Sequence, residues 1–178
     1  TNAHDTISTL FRHNLWANVS LFEVCAGLSD AQLDTSVTGG FGTITGQPYR
    51  RPPGAPPLTM AEMQASIRAS GEGFVVAAPQ VQAQDSVEVD WDGAPRSVPC
   101  TILLTQAINH ATEHRAQIMA VLTVLGVEPP VLDGWTYFES QQVEAARWRR
   151  GATSGLPQFP QLTRRPPFVT ILSPHGCF

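Results

Sequence analysis

Two histidines, His110 and His114, stand four positions apart in a segment that otherwise predicts a buried helix. At this spacing two side chains lie on one helix face about 6 Å apart, close enough for both imidazoles to hold one cation. Imidazole nitrogen suits zinc, nickel, iron and copper. The pair fills the two middle positions of an apolar seam with alternating spacings of three and four, formed by Leu103, Ala107, Ile118, Val121 and Leu125.

The alternative is a pair of ordinary buried histidines, hydrogen-bonded to acceptors such as Asn14 or Asn18. Two ligands do not complete a metal site, and the pattern HxxxH arises easily by chance. An unliganded pair in the seam, however, would have to stay neutral and find partners for both rings. The position of the pair in the seam therefore makes a divalent-metal site a stronger expectation than a bare HxxxH pattern would, and both interpretations stay open.

Other catalytic patterns are absent from the sequence. Glu113 precedes the second histidine instead of following the first, so the HExxH pattern of metalloproteases is not met. No GxSxG motif is present, Cys100 has no histidine nearer than His110, and Cys177 lies in the tail. The chain contains no lysine, and "GGFGTITG" does not fit GxGxxG, so nucleotide-phosphate binding has no support.

Composition predicts one soluble domain in a reducing compartment. The 178 residues are 42% hydrophobic, enough for one core. A net charge of −4, with no basic block in the first 140 residues, argues against a nucleic-acid partner. No apolar run approaches the roughly 18 residues of a membrane span. Three widely spaced cysteines form neither a disulfide framework nor a metal knuckle, which favours the cytoplasm.

The hydrophobic pattern predicts an all-α chain with one short hairpin. Helices are expected over residues 4–26, 59–78, 101–125 and 135–150, with a loop over 27–58. Thr59 and Glu62 form a capping box, and alternation around Asp92-Gly93 predicts the hairpin near residues 86–98. The bundle domain is expected over residues 1–150. The five prolines of residues 151–178 predict a Pro- and Arg-rich tail, for which disorder is one expectation.

Asn14 and Asn18 lie near the middle of the apolar face of the first helix. A buried amide is costly unless it is hydrogen-bonded. One interpretation is a pair of amides satisfied by neighbouring helices. The other is that both point into a polar pocket, which makes them candidates for binding a cosubstrate or cofactor.

Three segments, in order, resemble the DinB family of metal-binding and often thiol-dependent helical bundles: "LFRHNLWANVSLFEVCAGLSDAQLDTSV", "INHATEHRAQIMAVLTVLG" and "PPVLDGWTYFES". The resemblance covers about residues 4–142, and HxxxHRxQ on a late helix with WxN on the first is its most specific part. It implies an up-down four-helix bundle, often dimeric, with a divalent metal bound by three histidines. Two of these correspond to His110 and His114.

The sequence departs from the family pattern at the second helix, which normally supplies the third histidine. The segments that flank that helix abut at Gly42 to Tyr49, so the expected ligand is absent. Either a bundle helix has been deleted or residues are missing from the sequence. His13 is the only other histidine on a core-forming helix, on the flank of its apolar face, and is the candidate replacement ligand.

The resemblance implies a metal-dependent S-transferase or a related activity. Zinc or nickel is expected first, with iron or manganese as alternatives, and the metal would activate a low-molecular-weight thiol for attack on an electrophile. Glu113 and Arg115 are interpreted as solvated helix charges. The competing hypothesis is a non-catalytic or degenerate bundle that acts as an oligomerising stress protein.

A homodimer is expected because a bundle short of a helix would expose an apolar groove. Three leucines on core stripes have too few expected partners in one chain: Leu10, Leu21 and Leu104. Trp16 lies opposite the apolar face of its helix, where water is otherwise expected.

Overall fold

The computed structural model describes residues 3–36, residue 44, residues 58–91 and residues 93–151. Four long helices and one hairpin make up most of these ranges. In chain order the elements are α1 (Ala3–Cys25), α2 (Asp30–Leu33), α3 (Met60–Ala77), a 3-10 turn (Ala78–Gln80), β1 (Ser86–Trp91), β2 (Ala94–Pro99), α4 (Cys100–Val124) and α5 (Gly134–Gly151).

The all-α architecture with one short hairpin is confirmed, and the ends of its elements follow local signals. Thr59 and Glu62 form the expected reciprocal capping box at the start of α3. Gly126, with φ 71°, adopts the left-handed conformation that glycine tolerates and ends the last turn after α4. The strands pair antiparallel from Ser86 opposite Pro99 to Trp91 opposite Ala94.

Two expectations about connecting segments have different outcomes. The loop over residues 27–58 is interrupted by α2, which Ser29 and Gln32 cap reciprocally, so the loop prediction was wrong for these four helical residues. The expected loss of the second family helix and the expected tail fall on residues 37–57 and 152–178. Except for residue 44, those positions lie outside the described residues.

Helix α1 is the central element, because α3, α4 and α5 all contact it. Its apolar residues contribute to two separate buried clusters. One cluster surrounds Leu21 and Phe22 and includes Met63 and Ile67 of α3 with Leu122 of α4. The other, nearer the N-terminus of α1, joins Phe11 to Ala78 and Leu104, with Phe74 stacked on Phe11 at a centroid distance of 5.3 Å.

The prediction of an open apolar groove was wrong for two of its three leucines and for Trp16. Leu21 and Leu104 are buried within the chain, whereas Leu10 is 40% exposed. The Trp16 ring lies 5.4 Å from that of Tyr137 on α5, so the side of α1 expected to face water is covered by another helix. Helical periodicity missed this contact because α5 is mostly polar.

The outer side of α5 carries large exposed apolar side chains. Trp135 is 80% exposed and Phe138 is 58% exposed. Among the described helices, none has both the length and the apolar character needed to cross a bilayer.

Gly71 allows α1 and α3 to approach closely. A Cβ atom added there would lie 2.5 Å from Leu15 Cδ1 and 3.2 Å from Leu15 Cβ. The terminal methyl could rotate away, but the Cβ is fixed to the backbone of α1. The glycine that weakens α3 as an isolated helix is therefore required by its packing.

We expect Gly71→Ala to lower the free energy of unfolding by about 1 kcal/mol, although alanine is the better helix former. The helix-propensity gain of up to about 1 kcal/mol opposes an overpacking cost of about 1–3 kcal/mol. Thermal unfolding followed by circular dichroism measures the difference. Gly134→Ala is the matched control, because nothing lies within 4 Å of its added Cβ, and it should cause no loss. Equal effects of the two substitutions would contradict the close-approach interpretation.

Candidate metal centre

Helix α4 brings the two sequence-predicted histidines together. Because α4 is continuous from Cys100 to Val124, His110 and His114 lie one turn apart on the same side. Their Nε2 atoms are 3.0 Å apart, and their rings are 4.3 Å apart at an interplanar angle of 76°. The Nε2 atoms therefore converge, and without a cation one must donate a hydrogen bond to the other.

The surroundings of His114 disfavour its charged form. Burial lowers the pKa of His114, the charge of His110 lowers it further, and Glu113 raises it in opposition. Glu113 Oε2 lies 3.9 Å from His110 Nδ1 and its side chain is 71% exposed. At that distance it acts on the imidazole through charge rather than through a hydrogen bond. Its carboxylate favours a proton on Nδ1, which leaves the lone pair of His110 Nε2 directed at the site.

The pair fits two ligands of a metal site. Two nitrogens bound to one tetrahedral zinc at about 2.0–2.1 Å lie roughly 3.3 Å apart, close to the separation of the two Nε2 atoms. Across the described ranges, however, no group of three or more His, Cys, Asp or Glu side chains is placed to hold a metal ion. A third ligand from this chain would therefore be a donor of another type or one outside the described side chains.

Gln117, three residues after His114, is a polar residue that the sequence interpretation did not single out. Its Oε1 atom is buried, and no group of the described chain donates a hydrogen bond to it. A buried acceptor left in this state costs about 1–3 kcal/mol. The available signal was its spacing, because Gln117 follows His114 by three positions and His110 by seven within HxxxHRxQ.

Arg115 joins α4 to α1 through the two asparagines. Its Nη1 donates to Asn14 Oδ1 at 2.6 Å and to Asn18 Oδ1 at 2.7 Å, and its Nη2 donates to Thr112 Oγ1 at 2.9 Å. Burial lowers the pKa of Arg115 to about 10, so the guanidinium stays charged at neutral pH. Asn14, Asn18 and Arg115, called here the polar layer, lie along their helices between the two apolar clusters.

The polar layer corrects one expectation and bears on another. Arg115 is not a solvated helix charge: it lies next to His114 in sequence but about 100° further round the helix, where it faces α1. Asn14 and Asn18 are each 8% exposed, and their oxygens are satisfied by a neighbouring helix, as in the first interpretation of these amides.

His13 lies in a different cluster. Its Nε2 donates to the backbone oxygen of Leu132 at 2.8 Å, which fixes the proton on that nitrogen. Its ring contacts Trp16 and Tyr137 at centroid distances of 5.8 and 5.5 Å. The structure thus uses His13 to hold the segment before α5 and does not bring it into a group with the other two histidines.

The two described cysteines are poorly suited to act as nucleophiles. Burial raises the pKa of the Cys25 thiol to about 11. The pKa of Cys100 is raised by burial and then by the charge of Asp85. Because the thiolate is the reactive form, both side chains are expected to be inert near neutral pH.

Comparison with known proteins assigns the family. The DinB family model matches residues 58–150, more than half of the chain, which takes in α3, the hairpin, α4 and nearly all of α5. The match includes HxxxHRxQ, whereas α1 with its asparagines lies outside it. No curated protein and no solved structure matches the chain. On the family match, the chain belongs to the DinB family.

Proposed function

We propose that this chain is a metal-dependent enzyme in which His110 and His114 hold a divalent cation. The convergence of their Nε2 atoms to 3.0 Å is the observation that carries the proposal. Zinc or nickel is proposed first, with iron or manganese as alternatives, because imidazole nitrogen suits zinc, nickel and iron, whereas manganese favours oxygen ligands.

The proposed reaction is the transfer of a low-molecular-weight thiol to an electrophile. When bound, the cation supplies a Lewis acid that lowers the pKa of the thiol, so that the thiolate exists near neutral pH. The thiolate sulfur then forms a bond to the electrophilic carbon as the leaving group departs with its electron pair. The thiol belongs to the cosubstrate because the described cysteines are held protonated.

In this scheme the residues of the chain hold the reacting centre and orient the groups around it. His110 and His114 fix the reacting centre, and Glu113 keeps the proton of His110 on Nδ1. Arg115 fixes α4 against α1 through Asn14 and Asn18, which are proposed to meet the cosubstrate through their amide nitrogens.

A non-catalytic bundle, including an oligomerising stress protein, is the second candidate. Its support is that the described residues contain no three-residue group of the usual metal-ligating types. Self-association into a homodimer and a cytoplasmic location also stay proposals. The exposed Trp135 and Phe138 on α5 support the first, and the free thiols of Cys25 and Cys100 are compatible with the second.

Turnover with a defined thiol tests the catalytic proposal. Protein loaded with Zn²⁺ or Ni²⁺ is mixed with glutathione, cysteine or mycothiol and a chromogenic aryl chloride, and thioether formation is followed by absorbance. We expect acceleration with at least one thiol and a loss of about 100-fold or more in His114→Ala. Gln106→Ala, an exposed substitution on the same helix, should retain the full rate. Metal binding without acceleration by any thiol would favour the non-catalytic bundle.

A further inference from the structure

The buried oxygen of Gln117 lies on the side of α4 that carries the histidine pair. In a helix that advances 100° per residue, Gln117 is about 20° from His110 and about 60° from His114 around the axis. Side chains on a helix incline towards its N-terminus, which directs Gln117 from its own turn towards that of His114. The three residues therefore form one row along α4.

Two observations point to a ligand at this row. Gln117 Oε1 is buried with no donor in the described chain, and buried acceptors in this state commonly mark an ion, a water or a catalytic role. The histidine pair has two converging nitrogens but no third His, Cys, Asp or Glu among the described residues. Among the described residues the pair therefore has no third ligand of the usual types, and the next turn carries an acceptor that lacks a partner.

We propose that the amide oxygen of Gln117 is the third protein ligand of the cation at His110 and His114, an inference that rests on the proposed metal site. Amide oxygens ligate divalent cations, and an oxygen added to two imidazoles moves the site towards harder metals. Because all three ligands are neutral, the charge of the cation is left to favour an anionic cosubstrate. This explains the use of an amide where a carboxylate would bind the metal more tightly.

Binding of inorganic Co²⁺ tests this without an activity assay. The dissociation constant is measured by competition with a chelator, and the coordination is read from the visible d–d absorption. We expect Gln117→Leu to raise the dissociation constant at least 10-fold and to change the spectrum. Gln117→Glu, which keeps an oxygen and adds charge, should bind as tightly as the native chain or more tightly. Gln106→Leu, an exposed site on α4, is the matched control and should change neither readout.

The thermal stability of the metal-free protein is an independent test of the Gln117 ligand. Removing an unsatisfied buried oxygen should leave the thermal midpoint of Gln117→Leu unchanged or raise it, while the midpoint increase caused by Co²⁺ becomes smaller. A residue with a merely structural role would show the opposite, a lower midpoint with an unchanged Co²⁺ shift.

The outcomes separate this inference from the proposed function. If the native chain binds Co²⁺, His114→Ala abolishes binding and Gln117→Leu leaves the dissociation constant and spectrum unchanged, the glutamine ligand is rejected and the histidine site stands. If the native chain binds no Co²⁺, both are rejected. If Gln117→Leu does not fold, a dissociation constant for Gln117→Glu more than 10-fold weaker than native would reject the ligand.

Discussion

Replacing Arg115 with methionine is expected to destabilise the protein by about 3 kcal/mol, more than any exposed charge substitution. Loss of the guanidinium leaves the oxygens of Asn14 and Asn18 buried without their donor, at about 1–3 kcal/mol each. The substitution also removes the desolvation cost of the buried guanidinium, which offsets part of that loss. Denaturant unfolding followed by circular dichroism should show the loss, and the thermal midpoint should fall by roughly 6–12 °C.

Arg68→Met is the matched control for this prediction. Arg68 also donates to another helix, to Glu23 at 3.2 Å, but the two side chains are 52% and 61% exposed. Exposed ion pairs of this kind contribute about 0–1 kcal/mol. Losses of similar size in the two variants would mean that Arg115 is a surface charge.

The two asparagines allow a sharper test. Asn14→Leu and Asn18→Leu, introduced into the Arg115→Met chain, remove the unsatisfied oxygens while nearly keeping the side-chain shape. We expect part of the lost stability to return, since replacing all partners of a buried hydrogen bond costs less than removing one. A further loss from the added leucines would show that α1 needs the amides for another reason.

The sequence predicted the features of the fold that depend on residues close together in the chain. The capping box of Thr59 and Glu62 involves partners three positions apart, and Gly126 needs only its own backbone conformation. The convergence of His110 and His114 likewise follows from the helical repeat of one element.

Contacts between elements could not be predicted from local sequence patterns. Arg115 looked solvated because periodicity places a residue on a face without saying which polar groups oppose it. Asn14 and Asn18 lie about one hundred positions earlier. The position of His13 was missed for the same reason. Its acceptor is a backbone oxygen of the segment before α5, and a hydrogen bond to a backbone group cannot be recognised from composition or periodicity.

The polar layer also relates the two halves of the site. The family match begins at residue 58, so it contains the histidine pair but neither asparagine of α1. Arg115 belongs to the matched segment and reaches its partners outside it. The orientation of α4 therefore depends on a helix beyond the matched range, and substitutions in α1 should affect the proposed metal site through Arg115.

Replacing His114 with leucine is expected to remove nearly all bound divalent metal, because the loss of one of two convergent nitrogens takes away most of the affinity of so small a ligand set. Elemental analysis after loading with Zn²⁺ and gel filtration gives the stoichiometry, and His110→Leu should behave in the same way. His13→Leu is the matched control: it should keep its metal but unfold at a lower temperature, since it removes the hydrogen bond to Leu132 and the contacts with Trp16 and Tyr137. Metal loss in His13→Leu with a native-like thermal midpoint would restore His13 as a ligand. Full metal content in both His110→Leu and His114→Leu would place the cation elsewhere in the chain and leave the convergence of the two rings as a feature of the core alone.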